Sequence, residues 1–133
     1  MGQESRKNIL AIDDSKTQLK IFENFLSPRY DVTLAESAVE AMKFMDAAIF
    51  DLILLDIEMP DVSGFEFLHE IRKKPRYMTK PVIIVSGHTD PDFLASAKSS
   101  SASDVLSKPV DSKQLFEAIE KAFTMPVKNP FGL

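Results

Sequence analysis

Three carboxylates, one hydroxyl and one ammonium stand where short apolar runs end: Asp13-Asp14, Asp56, Ser86 and Lys108. Asp56 directly follows Leu52-Ile53-Leu54-Leu55, which puts it at the mouth of a buried strand, where an unpaired carboxylate is costly. Three carboxylates gathered in one place repel one another, and a cation is the simplest remedy. Oxygen ligands without Cys or His select a hard ion such as Mg²⁺. Lys108 can pair with an acid or with a bound anion, and Ser86 offers a hydroxyl to a phosphoryl oxygen. Each residue also has a plainer reading when taken singly. Asp13-Asp14 suit a turn and a helix N-cap, Lys108 suits a surface position, and a Ser after a strand carries no information. Lys108-Pro109 also admits a cis peptide that would hold the Lys in a tight turn.

Whether these residues meet depends on the elements between them. Apolar runs and helical patterns alternate five times. Strands are expected at Asn8 to Ile12, Tyr30 to Ala35, Asp51 to Leu55, Pro81 to Val85 and Asp104 to Ser107. The third is apolar on both faces except at its ends, which fits the middle of a sheet covered on both sides. The first helix is expected from Ser15 to Leu26, with Leu19, Phe22, Phe25 and Leu26 inward; Ser27-Pro28 ends it. Ser37 with Glu40 forms a capping box for a second helix, whose apolar positions are Val39, Met42, Phe44 and Met45. Ser63 with Glu66 opens a third, carrying Phe65, Leu68 and Ile71. Asp90-Pro91 starts a fourth, to about Lys98. Asp111 with Gln114 caps a fifth, through about Phe123, with Leu115, Ile119 and Phe123 buried. Strands that alternate with helices imply parallel pairing with right-handed crossovers. The expected fold is therefore α/β: a flavodoxin-like three-layer (βα)5 unit with a five-stranded parallel sheet in the order 2-1-3-4-5. In such a sheet ligands bind beyond the carboxyl ends of the strands, which is the rim that holds all five candidate residues.

Composition narrows the class. A chain of 133 residues with 44% apolar content fits one domain. The expected organisation is a domain over residues 1–123 with 124–133 as a C-terminal tail or the start of a linker. No apolar run approaches the about 20 residues of a membrane span, and Met1 to Asn8 lacks the apolar core of a signal peptide. Without Cys there is no disulfide or thiol chemistry, which points to the cytoplasm. The net charge is −4, and Lys73, Lys74 and Arg76 form the one short basic run, which suits a solvated helix C-terminus. Direct nucleic-acid binding is not expected.

Ile12-Asp13-Asp14, Leu54-Leu55-Asp56-Ile57-Glu58-Met59-Pro60, Ile84-Val85-Ser86-Gly87 and Lys108-Pro109, in this order at these strand ends, resemble the receiver domain of two-component response regulators. The resemblance covers about residues 8 to 123. It implies a phospho-acceptor switch, not an enzyme in the ordinary sense, that takes a phosphoryl group on Asp56 from a histidine kinase or histidine phosphotransfer protein and then controls a partner or output domain. It also implies that Asp14 and Asp56 bind Mg²⁺ directly, together with the backbone carbonyl of Glu58, while Asp13 acts largely through a coordinated water. Lys108 and the metal would neutralise charge on the transferring group. Ser86 would hydrogen-bond a phosphoryl oxygen, and the small Gly87 would leave room beside the acceptor. Glu58 and His88, each two residues past a site residue, would stand at the rim where a hydrolytic water approaches; a plain exposed loop residue is the other reading of His88.

Two departures from the family pattern stand out. Val105 occupies a position that commonly holds an aromatic ring, the usual reporter of phosphorylation. Ser99-Ser100-Ser101-Ala102 replaces a usual Ala-Gly turn; Ser101 would be strained at the positive φ that a Gly takes easily, so the fourth helix or its exit loop is expected to differ and to be mobile. The face made by the fourth helix, fifth strand and fifth helix is expected to carry the output partner and can also carry a homodimer. Weaker coupling than usual is expected there, carried by the loop from Gly87 to Asp90 and the Ser-rich turn. Other readings fit less well. A flavodoxin would place Asp13-Asp14 against its phosphate. A hydrolase with an aspartyl-phosphate intermediate usually has a second Asp where Glu58 stands. A phosphorylation-independent, receiver-like interaction module has only Val105 in its support.

Overall fold

The computed structural model describes residues 6–60, 62–88 and 90–125. Five strands alternate with five helices: β1 (Asn8–Ile12), α1 (Lys16–Leu26), β2 (Asp31–Ala35), α2 (Ala38–Ala47), β3 (Leu52–Asp56), α3 (Gly64–Lys73), β4 (Val82–Ser86), α4 (Pro91–Ser99), β5 (Asp104–Ser107) and α5 (Ser112–Thr124). A 3₁₀ turn, Pro75–Tyr77, follows α3. All strand pairs are parallel, and the sheet order is β2-β1-β3-β4-β5, as the alternating pattern implied. The expected tail overlaps α5 at Thr124 and its C-cap at Met125; residues 126–133 lie outside the described residues.

Each face of the sheet has its own core. Leu10, Ile12, Ile53, Leu55 and Ile84 point toward α2, α3 and α4, while Ile9, Ala11, Leu54, Ile83 and Val85 point toward α1 and α5. This is the period-2 alternation of a strand applied to a sheet covered on both sides. Ser15, Ser37, Asp90 and Asp111 cap their helices by accepting the backbone N–H three residues on. Ser63 makes no such bond. Its backbone instead bridges Glu58 and closes the β3–α3 loop.

Several helix faces differ from the apolar stripes of the sequence. α2 buries Ala38, Ala41 and Met45, while Val39 is exposed. Small side chains at the contact let the helix lie close to the sheet, so side-chain size was a poor guide to its inner face. α3 turns Phe67 inward and leaves Phe65 half-buried. α5 buries Leu115, Ala118, Ile119 and Ala122, and Phe123 packs at the edge against Tyr30 with ring centroids 6.2 Å apart.

The Ser-rich turn avoids the conformation in which Ser101 would be strained. Among the described residues no non-glycine residue has positive φ, so Ser101 is not strained in that way. The turn is held in place. Ser100 Oγ donates to Ala97 O at 2.6 Å and accepts from Ala102 N at 3.2 Å. Arg72, buried at the end of α3, donates Nη2 to Ser101 O at 2.7 Å and Nε to Ser101 Oγ at 3.2 Å. Its Nη1 reaches Tyr77 O at 2.9 Å and also Lys80 O. One guanidinium thus ties α3, the 3₁₀ turn, the approach to β4 and the turn after α4. Burial pushes the Arg72 pKa down to about 10, still well above neutrality, so the group remains charged.

Candidate functional site

Strand register brings the candidate residues together. Ile12 pairs with Leu55, Asp56 pairs with Val85, and Ser86 pairs with Ser107. Asp13, Asp56, Ser86 and Lys108 therefore reach the same end of adjacent central strands. The carboxylates of Asp13, Asp14 and Asp56 offer oxygens that all lie within 4.8 Å of one another. Asp13 and Asp56 are buried and Asp14 is exposed.

Asp13 Oδ1 accepts the N–H of Ser15 at 2.9 Å, which shapes the turn into α1. Its Oδ2 meets Lys108 Nζ at 2.8 Å, and Asp56 Oδ2 lies 3.6 Å from the same nitrogen. Asp56 Oδ1 accepts the N–H of Glu58 at 3.0 Å. Lys108 is placed by its backbone N–H, which donates to Ser86 O at 2.9 Å. The Lys108-Pro109 peptide is cis.

Burial pushes the Asp56 carboxyl up to about 6; Asp13 adds to the rise, and the Glu58 N–H and Lys108 oppose it. Burial alone would lower the Lys108 pKa, but its contacts with Asp13 and Asp56 outweigh that and hold the ammonium above its ordinary value. One cation thus faces three carboxylates. The remaining negative charge, the all-oxygen donor set and the oxygen spacing fit a hard divalent ion.

The loop after β3 is anchored at both ends. Met59 is buried in the core beneath α2 and α3. Gly64 N donates to Ile57 O at 3.1 Å, and a Cβ at Gly64 would come within 2.4 Å of Ile57 Cα, so the close approach requires glycine. Gly87 has no such requirement, because an added Cβ would meet only Glu58 Oε1 at 3.7 Å.

The Glu58 side chain does more than its sequence position indicated. Its Oε1 accepts from Ser86 Oγ at 3.3 Å, and its Oε2 lies 3.3 Å from His88 Nε2. Ser86 Oγ also accepts the His88 N–H at 3.1 Å. The other imidazole nitrogen of His88 is 3.7 Å from Asp90 Oδ1, and the ring packs on Phe93 with centroids 5.6 Å apart. Asp90 and Phe93 were not singled out as site neighbours; the i+2 spacing from His88 was the only signal for Asp90. Val105 is half-buried against the core beneath α4.

A doubly wound parallel sheet with an acidic cluster and a lysine at the carboxyl ends of its central strands defines a class of phosphate-handling or metal-binding α/β domains. Residues 9–120 match the family model for the response regulator receiver domain, and the chain belongs to that family. It is 36% identical over 110 residues to the two-component response regulator ARR12 of Arabidopsis thaliana, covering 80% of this chain and 18% of that protein. It is 34% identical over 122 residues to the CAI-1 autoinducer sensor kinase/phosphatase CqsS of Vibrio cholerae, covering 88% of this chain and 18% of that protein. The chain thus spans about a fifth of the length of these two curated relatives. Among solved structures, the chemotaxis protein CheY4 of Vibrio cholerae superposes with a TM-score of 0.83 at 28% identity, covering 89% of this chain and 99% of that one. A receiver domain of Methanospirillum hungatei gives 0.79 at 30% identity, covering 88% and 93%. The family is one of signalling switches in two-component systems. Among the described residues no helix is long and apolar enough to cross a membrane.

Proposed function

We propose that this domain, spanning residues 1–123, accepts a phosphoryl group on Asp56 from the phosphohistidine of a histidine kinase or histidine phosphotransfer protein. The observation that carries this reading is the placement of Asp56: buried at the end of β3, 3.6 Å from Lys108 Nζ and clustered with Asp13 and Asp14. An Asp56 carboxylate oxygen forms the new P–O bond as the P–N bond of phosphohistidine breaks, and the bonding pair leaves with the imidazole. Lys108 stabilises negative charge on the transferring oxygens. Mg²⁺ held by Asp14, Asp56 and the Glu58 carbonyl, with Asp13 behind them, would supply further charge neutralisation. Ser86, now bound to Glu58, is released to the phosphoryl oxygens as the new charge draws it. With the full charged set assembled, nothing specific favours a phosphorylation-independent module. The domain acts in the cytoplasm, with no direct contact to nucleic acid or membrane. Output passes through α4, β5 and α5, a face that can also pair two copies.

Incubation with acetyl phosphate and Mg²⁺ is expected to add one base-labile phosphoryl group, and Asp56→Asn to abolish it. Intact-mass spectrometry that finds the same adduct on the Asn variant removes Asp56 from this role. Mg²⁺ at millimolar concentration is expected to raise the melting temperature through linkage, and Asp14→Ala to lose most of that rise. An equal shift in both proteins in thermal melts would place the metal elsewhere.

The Glu58 carboxylate spans Ser86 and His88 and stands beside the acceptor. Glu58→Ala and His88→Ala are each expected to change the dephosphorylation rate several-fold while leaving phosphorylation intact. Unchanged decay of the acyl phosphate in both variants would show that the pair does not govern access of water.

A further inference from the structure

The outer surfaces of α2 and α3 leave an open groove of about 690 Å³ between them. Its walls are Val39 and Met42 on α2 with Val62 in the β3–α3 loop and Phe65 at the start of α3, over Ala38. Val39 is 63% exposed, the most exposed large apolar side chain among the described residues. Valine is also a modest helix former, so helix propensity gives no reason for it at an open α2 position. Phe65 packs at a tilt against Phe93 with centroids 5.8 Å apart, and Phe67 of the same wall is in the core, so this side of the groove is preformed.

The polar lining holds two carboxylates and His69. Glu66 and Glu70 stand one turn apart on α3, and among the described residues no Lys or Arg lines the groove. Glu70 is shared with Lys73 at 3.5 Å, but both side chains are 54% exposed, and such a surface pair exchanges partners at little cost.

We infer that the α2–α3 groove is a docking site for a basic amphipathic helix of a partner protein. The helix would carry apolar residues at i, i+3 or i+4 and i+7, with Lys or Arg beside that stripe. The apolar floor suits a helix laid along it, and Glu66 and Glu70, about 6 Å apart along their axis, match two basic residues one turn apart. An acidic helix would be repelled. A second copy is disfavoured by symmetry: in a two-fold pair the same patch meets itself, setting Glu66 and Glu70 against their own images. The inference does not depend on phosphoryl transfer.

The test uses the full chain without phosphodonor and a helical peptide with a leucine stripe flanked by lysines, alongside a twin flanked by glutamates. Titration calorimetry and amide chemical-shift mapping are expected to show saturable binding of the lysine peptide, with shifts over residues 38–42 and 62–70. Val39→Asp is expected to weaken it at least about tenfold, as removal of a central contact does. Glu66→Lys with Glu70→Lys is expected to weaken the lysine peptide and favour the glutamate one. All three positions line an open surface, so circular dichroism and melting should stay as in the wild type and exclude unfolding as the cause. Equal affinity for the two peptides, undiminished binding to Val39→Asp, or shifts on another face would overturn the proposal. So would self-association that Val39→Asp abolishes, which would make a second copy the occupant. Peptide binding seen only after deletion of residues 126–133 would assign the groove to the chain's own C-terminal segment.

Discussion

Arg72→Ala is expected to lower the unfolding free energy by about 3 kcal/mol or more. The guanidinium supplies donors to the carbonyls of Tyr77, Lys80 and Ser101, and the substitution leaves those acceptors without them in a closed region. Among the described residues no carboxylate pairs with Arg72, so no buried negative charge is left behind, and the loss comes from unmet carbonyls and vacated volume. Arg72→Met keeps most of the volume and removes the cost of burying a charge, so it is expected to lose less than Ala while still leaving the carbonyls unmet. Lys offers one ammonium where a planar fork reaches three segments, and it is not expected to restore stability. Urea denaturation gives the magnitude, and hydrogen exchange gives the location: protection should fall first at residues 99–103. A loss below about 0.5 kcal/mol, the level of an ordinary surface substitution, would show that the Ser-rich turn holds itself.

Arg72 also shows where the sequence was hard to read. It lies four residues after Leu68 and directly after Ile71, so helical spacing placed it on the inward stripe of α3. The basic run Lys73, Lys74 and Arg76 beside it was expected to be a solvated helix end. Lys73 is exposed, as a solvated helix end implies, whereas Lys74 is half-buried and pairs with Asp46 at 3.0 Å. The acceptors that make Arg72 buriable come from the 3₁₀ turn, the approach to β4 and the turn after α4, and periodicity carries no information about such distant partners. The same turn was expected to differ because Ser101 stands where a Gly is usual; the backbone avoids positive φ and takes its support from the arginine.

The sheet and its rim were far more legible. β3 is apolar at every inner position, and a strand buried on both faces must be central, which puts Asp56 next to the ends of β1 and β4. Topology then brings Asp13, Ser86 and Lys108 to the same edge with no further assumption. Faces that pack through small residues were not legible: α2 rests on Ala38 and Ala41, and its larger Val39 points outward. The contacts of the Glu58 side chain were also hidden, because they depend on how the β3–α3 loop folds back through the Glu58–Ser63 bridge.

Asp56→Asn is expected to make the metal-free protein more stable at neutral pH, even though it removes the proposed acceptor. Burial raises the Asp56 carboxyl from 3.8 to about 6. Between these values the folded state binds more protons than the unfolded state, so stability falls as pH rises through the window. The sign is opposite to that of a salt-bridged carboxylate with a depressed pKa. Below about 4 the penalty is absent, and above about 6 it is complete. This shift, in which the attraction to Lys108 is already included, sets an upper limit of about 3 kcal/mol on the gain. Asn can still accept the Glu58 N–H, so the local turn has no reason to open. The measurement is a set of urea unfolding curves from pH 4 to 8 with a chelator present. The difference between the two proteins should be small at pH 4, grow through pH 5 to 6 and level off by pH 7. Because Asp13 and Lys108 interact with Asp56, the difference curve reports the titration of this coupled cluster. Addition of Mg²⁺ should then narrow the gap, since the ion has more negative charge to bind in the wild type. A variant no more stable than the wild type at pH 7, or a difference that does not vary between pH 4 and 7, would mean that Lys108 already neutralises Asp56 and that the site has no electrostatic need of a metal.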